Sequence, residues 1–421
     1  MTRATVTLAS RAGSVPGRLL LALMAATGCG MTSDGPATEE VAADTVFLDP
    51  AITIGVEEGD PNYLFGSITS VAVDAEGRVY VGERFGATVR VYGSDGTFLR
   101  RLAAEGEGPG EISYQPAFMT FDGEGRLYIR DAVGVTVFSL RAGASLPDSV
   151  VATWRTIDLG NMSSEDRDRV TRDGRYLKQR YVRRPGVHPR FFYIPFVDGE
   201  PTGDTLELPA YPGLTALRLA LLPLGPDRLI LRGLNRVPFA AVPVWDAAPQ
   251  GTILSTDGVS PVLIETDARG DTLRTIHLPD LPLRRVPPRE REDSLRALEE
   301  RIASVPGRLN DVEGLGEGVA ERRLPEFLPR VIALHVVDDG TIWLEQWPPE
   351  DRPDFRQYMV LDQNGALLRF VVLRAPLLGN PPRHITERFV VGVIRDPETE
   401  VERVVRFDLP WGPRVARRSG E

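Results

Sequence analysis

At 421 residues the chain is long enough for one large repeat domain or two ordinary ones, and with 42% apolar and 26% charged residues it is neither a disordered polymer nor a polytopic membrane protein. A formal net charge of −10 opposes phosphate backbones and anionic headgroups, which excludes nucleic-acid binding and electrostatic docking to a bilayer. The single cysteine excludes an internal disulfide, so packing alone must hold the fold.

The chain opens with Arg3, Arg11 and Arg18 ahead of 19-LLLALMAAT-27, an apolar run far short of the ~20 residues of a spanning helix. Residues 1–28 therefore read as a cleaved signal peptide. The stretch 26-ATGC-29 resembles the lipobox of bacterial lipoproteins, with Ala26 where leucine is commoner. That resemblance implies cleavage before Cys29 and a lipid on its thiol. Removing 1–28 takes three arginines and no acid, so the net charge becomes about −13. Gly30 rather than Asp after the cysteine implies an outer-membrane address, with the domain facing periplasm or surface. The lipid would then be the only membrane contact. Residues 29–44, small and acidic, read as a flexible tether.

From residue 66 a unit repeats. In 66-GSITSVAVDAEGRVYVGERFGATVRVYGSDGTFLRRLA-103 and 117-AFMTFDGEGRLYIRDAVGVTVFSLRAG-143, an apolar strand meets an Asp-x-x-Gly turn and then Arg-aliphatic-Tyr-aliphatic. A third copy lies at 332-IALHVVDDGTIWLEQW-347, continued by 358-YMVLDQNGALLRFVVL-373. Alternating apolar and polar residues mark half-buried antiparallel strands, with Asp74, Asp122 and Asp338 bonding the backbone ahead and Gly77, Gly125 and Gly340 supplying positive φ. Four strands per unit make a propeller blade. Residues 176–209 supply a weaker copy, and 219–236 with 261–279 another; 388–409 offers only a pair of strands. In 287-PPREREDSLRALEERIASVP-306, Leu295, Leu298, Ile302 and Val305 recur at helical spacing with Glu292 and Arg296 placed to pair, which predicts a short helix in an insertion over 287–320.

Residues 46–77 align with 98–125: an outer strand, a Gly/Pro acidic bend, then the first strand of a blade. A strand near 46–55 is therefore expected to complete the last blade and close the ring, removing two exposed edges. The prediction is an all-β, six-bladed propeller of four-stranded antiparallel blades over 45–410, with a tail at 411–421 and a monomeric state. With the lipobox at Cys29, Ile52–Gly55, 106-GEGPG-110 and Val391–Asp396, the chain resembles bacterial six-bladed β-propeller lipoproteins of the NHL-repeat type. That resemblance specifies a fold and leaves the activity open.

No nucleotide motif survives inspection. A Walker loop needs Gly-Lys-Ser/Thr, and the one lysine, Lys178, precedes Gln179. After Gly110 comes another strand, not the helix of a dinucleotide loop, and Glu105, Glu107 and Glu111 repel phosphate. His188, His277, His335 and His384 lack any ligand spacing. Three residues past the aromatic of the second strand stand Glu83, Asp131 and Gln346, with Asp396 as the counterpart in the last blade. Read plainly they are repeated turn caps; read sharply they are a rim of oxygens for calcium.

Two functions follow. One is a binding or scaffold module that presents its loops and insertion to an envelope protein, peptide or glycan, with 191-FFY-193, Trp245, Trp347 and Trp411 as candidate anchors. The other is a metal-dependent, lactonase-like hydrolase, implied by similarity to propellers of the gluconolactonase family, with Asn235 and Asn310 as further ligands in the central channel.

Overall fold

The structure is a computed structural model. It describes residues 44–411, apart from 109, 141–146, 156–167, 183–189, 203–204, 208–217, 226–227, 236–237, 242, 268, 280–282, 304–323 and 380–382. Cys29, the leader, the tether up to residue 43 and the 412–421 tail lie outside the described residues, as do His188, Asn310 and the Asn235 side chain.

Two short strands, β1 (Thr45–Leu48) and β2 (Ile52–Ile54), precede the repeats. Blade 1 is β3 (Ile68–Val73), β4 (Val79–Glu83), β5 (Thr88–Tyr92) and β6 (Phe98–Ala103). Blade 2 is β7 (Phe118–Phe121), β8 (Leu127–Arg130), β9 (Gly134–Leu140) and β10 (Pro147–Arg155). Blade 3 has β11 (Arg169–Val170), β12 (Tyr176–Val182) and β13 (Arg190–Val197), and its outer strand is split into β14 (Glu200–Pro201) and β15 (Leu206–Glu207), both paired to β13. A hairpin, β16 (Arg218–Gly225) and β17 (Arg228–Asn235), forms a sheet of its own. Blade 4 is β18 (Val244–Ala247), β19 (Ile253–Thr256), β20 (Val262–Thr266) and β21 (Thr272–His277). After helix α1 (Pro288–Ala303) come blade 5, with β22 (Ala333–Val336), β23 (Ile342–Gln346), β24 (Arg356–Leu361) and β25 (Leu367–Leu373), and blade 6, with β26 (His384–Ile385), β27 (Phe389–Arg395) and β28 (Glu402–Asp408).

The six-bladed propeller is thus present, with two corrections to its assembly. The predicted closing strand is two strands. β2 completes blade 6 by pairing antiparallel with β28, whereas β1 lies parallel to β25 as a fifth strand on blade 5. Pro50 lies between them; lacking an N–H, it cannot join a ladder. The second correction concerns the middle. The 219–236 segment belongs to the separate hairpin, and blade 4 is built wholly from 244–277.

One apolar cluster fills each gap between neighbouring blades, so the core is a ring of six wedges. Tyr80, Tyr176, Trp343 and Tyr358 are among their largest buried side chains. The strands are thus not half-buried as their alternation suggested: β4, β8 and β19 are buried along their whole length, because both faces of a blade are covered. The first turns obey the predicted chemistry in blades 1 and 2. Asp74 accepts from the N–H groups of Glu76 and Arg78, Asp122 from those of Glu124 and Arg126, and Gly77 and Gly125 have φ of 81° and 77°. In blade 5 the capping acid is Asp339, which accepts from Thr341, while Val337 rather than Asp338 occupies the place of Asp74. In α1, Arg296 approaches Asp293 at 3.6 Å, one residue on from the predicted partner Glu292.

Antiparallel alternation puts the first and third turns of every blade at one end of the ring. The second turns and the links between blades, including the insertion, lie at the other, here termed the link end.

Candidate functional site

The inner strand of each blade exposes an edge of unpaired backbone groups toward the axis, and these need partners. Strand register supplies a ring of equivalent positions, two residues before each first turn: Ala72, Thr120, Arg169, Asp246, His335 and His384 face Tyr80, Tyr128, Leu177, Leu254, Trp343 and Val391 on the second strands. Four of these six residues are joined by reaching across blade boundaries. Arg169 pairs with the Asp246 carboxylate of blade 4. Asp246 Oδ1 also accepts from the Ala247 N–H at 2.8 Å, and Oδ2 from the Val336 N–H of blade 5 at 2.9 Å. His384 Nδ1 accepts from the Val73 N–H of blade 1 at 3.3 Å, so its proton is on Nε2, directed to Thr120 Oγ1 of blade 2 at 3.4 Å.

The electrostatics match this structural use. Asp246 is 3% exposed, while the Arg169 side chain is 20% exposed. Burial and the neighbouring Arg169 charge hold the His384 imidazole down at about 4 from an ordinary 6.5. With Nδ1 occupied by a backbone donor and Nε2 protonated, His384 cannot take the Thr120 proton. The axis is therefore built as a clasp between blades.

That shift has a consequence for stability. An unfolded imidazole gains its proton near pH 6.5, whereas the folded one resists until about pH 4. Between these values the unfolded state holds the extra proton, so stability is full above pH 6.5 and falls as pH drops through the window, by up to about 3 kcal/mol. His384→Asn, which keeps an acceptor for Val73, is expected to remove this part of the acid sensitivity. Urea denaturation of both proteins at pH 7.5 and pH 5 measures it; an equal loss in both would assign the acid sensitivity elsewhere.

Two further ion pairs join blades at one register with the charges reversed. Arg130 of blade 2 meets Asp168 ahead of blade 3 at 2.7 Å, and Glu345 of blade 5 meets Arg383 ahead of blade 6. The two seams lie opposite each other across the ring.

The predicted rim acids all lie at the link end, and each is engaged. Glu83, 2% exposed, pairs with Arg90 at 2.7 Å and accepts from the Gly66 N–H; burial pushes its carboxyl up, against the pull of Arg90. Asp131 accepts from Val133 and Gly134 at 2.7 Å each and from Ser113 at 2.8 Å. Asp396 accepts from Glu398 and Thr399, which lowers its carboxyl. Register puts Ile394, not Asp396, at the place of Glu83, because His384 faces Val391. It also adds Asp257 in blade 4, which accepts from Val259 and Ser260. Asp257 was hidden because the inner strand of its blade, 244-VWDA-247, turns through Ala248 instead of Asp. Among the described residues no three His, Cys, Asp or Glu converge to hold a metal.

The 106-GEGPG-110 loop links β6 to β7. Its Gly108 N–H is taken by the Glu111 carboxylate at 2.8 Å, and a Cβ on Gly106 would lie 1.9 Å from Glu111 Oε2. The loop wraps its own anion.

No family model and no curated relative matches the chain. Solved structures do. A member of the DUF4221 family from Bacteroides vulgatus matches at 8% identity and TM-score 0.41, over 85% of this chain and 95% of that one. Regucalcin, a calcium-binding protein from Agrobacterium tumefaciens, matches at 10% and 0.38, over 87% and 98%. Virginiamycin B lyase from Staphylococcus aureus matches at 10% and 0.37, over 85% and 98%. At these values no chemistry carries over to this propeller.

A cavity of 410 Å³ opens at the link end, between the two stems of the insertion (283–284 and 328–330) and the second turn of blade 5 (346–350). Trp347, one of the predicted anchors, lines it and packs on Phe239 at 5.9 Å. Of the other anchors, Trp245 is buried, Tyr193 is fully buried, and Trp411 lies under Arg369 and beside Trp343, while the Phe191 side chain lies outside the described residues.

Proposed function

We propose that the chain is a lipid-anchored envelope propeller of the NHL type that binds a partner polypeptide through its link end. The observation that carries this reading is the 410 Å³ cavity at the base of the insertion, the size of a ligand site, set against an axis whose Asp246 carboxylate is already committed on both oxygens. A rigid ring with a loop-built recess at one end is how scaffolds separate stability from recognition. The signal peptide at 1–28, the lipid on Cys29 and the tether to residue 44 belong to the same proposal. The propeller works as a monomer, with the lipid its sole membrane contact.

Two measurements test it. Cys29→Ala is expected to move the protein from the membrane fraction to the soluble fraction, and unchanged partition would remove the anchor. A photocrosslinking residue at Arg289 on α1 is expected to trap an envelope protein in intact cells, with none trapped from the turn at Asp95 on the opposite end. Equal trapping from both, or from neither, would sink the binding face.

A further inference from the structure

The chemistry of the cavity is one-sided. Its walls include Leu283, Leu328, Pro329, Pro349 and Phe370. Among its polar lining groups, donors outnumber acceptors. Arg284 gives Nη1 to the carbonyls of Trp347 at 3.1 Å and Pro348 at 2.7 Å, and its Nη2 stays 3.9 Å from Glu350, beyond hydrogen bonding. Arg330 gives Nε to the Val259 carbonyl at 3.1 Å. Its Nη1 and the Trp347 Nε1 are buried with no acceptor among the described residues. Gln346 Oε1 already accepts from Gln357 Nε2 at 3.2 Å. Glu350, the one carboxylate in the lining, is 71% exposed and turned to water.

A buried donor without an acceptor is costly, so a fitting occupant brings acceptors. Two guanidiniums against one solvated acid make that occupant an anion, and planar guanidinium suits a carboxylate. The apolar walls require an apolar body beside the charge. A neutral glycan fails both conditions, since it brings neither a negative charge nor an apolar side chain. The carboxamides of Gln346 and Gln357 beside the Trp347 turn match a peptide backbone better than a bare hydrocarbon chain.

Resting on the reading of the link end as a partner-binding face, we infer that this cavity holds the carboxyl terminus of the partner polypeptide. Its last side chain is apolar and packs against Leu328 and Phe370, and its free carboxylate lies on Arg330 and the Trp347 N–H.

The test is calorimetric titration of the mature full-length chain with acetyl-Ala-Ala-Leu as the free acid, the same peptide as its C-terminal amide, and octanoate. The free acid is expected to bind saturably, with the amide and octanoate each at least tenfold weaker. Arg330→Gln is expected to weaken the free acid at least tenfold and leave the amide unchanged. Trp347→Phe, which keeps an aromatic ring but loses the pyrrole half of the indole with its N–H, should weaken the free acid severalfold while changing the amide less. No saturable binding of the free acid, an amide that binds as well, or an octanoate that binds as well would each overturn the inference. If the Arg289 crosslinker still traps a partner in that case, the inference alone fails; if it traps none, the binding face fails with it.

Discussion

Replacing Asp246 with alanine lowers the unfolding free energy by about 3–5 kcal/mol, the cost of leaving a buried charge without its partner. Three groups lose their acceptor together: the Arg169 guanidinium and the N–H groups of Ala247 and Val336. These belong to blades 3, 4 and 5, so the damage falls on two seams. The double variant Arg169→Met with Asp246→Leu should recover much of the loss, because it removes the stranded charge and leaves only the backbone donors unpaired. Urea denaturation of the single and double variants measures this. A cost below about 1 kcal/mol for Asp246→Ala would mean that the axial pair is solvated and contributes no more than a surface bridge.

A chain started at Glu57 instead of Asp44 loses both β1 and β2, and its stability falls by an amount on the order of 5 kcal/mol. Ile54 is 1% exposed and Ile52 packs on the same cluster, and burying one such side chain stabilises by roughly 1.5–3 kcal/mol. The ladder to β28 and the Phe370 N–H bond to Asp44 at 3.0 Å go as well. The freed edges of β25 and β28 invite self-association. A lower melting temperature and larger species on size exclusion are the expected readouts. A synthetic peptide of residues 44–56, added in trans, should restore the melting temperature by strand addition. Unchanged melting on truncation would show that the seam between blades 6 and 1 holds by its other bonds, among them Ile68 to Glu402 at 2.7 Å and Arg406 to the Gly77 carbonyl at 2.5 Å.

Blades 1, 2 and 5 were legible in the sequence because their first turns, Asp-x-x-Gly in blades 1 and 2 and Val337-Asp-Asp-Gly340 in blade 5, keep a fixed distance from the strands on either side. The middle was not. The β16–β17 hairpin has the apolar run and turn of a blade's inner pair, and nothing local tells a blade from a satellite sheet; only pairing partners do. Blade 4 replaces the turn Asp with Ala248 and holds its turn by the backbone bond from Gly251 to Ala248 at 2.8 Å. With that anchor hidden, the axial ring was hidden too, since Thr120, Arg169, Asp246, His335 and His384 share a register and no common chemistry. The cavity was out of reach for another reason. Its lining comes from the two stems of the insertion, the second turn of blade 5, and Gln357 and Phe370 of β24 and β25, which meet only when the stems close on blade 5.

The pairing of Ile52 with Arg406 also sets an order of events. β2 is made long before the sixth blade and must wait for it. Contacts this distant in sequence are slow to form, and the unpaired edges stay open to the wrong partners in the meantime. Folding of this ring is therefore committed late, after blade 6 has been made. A chain cut short within blade 6 would keep four complete wedges, lose the two that flank blade 6, and lack the event that locks the ring.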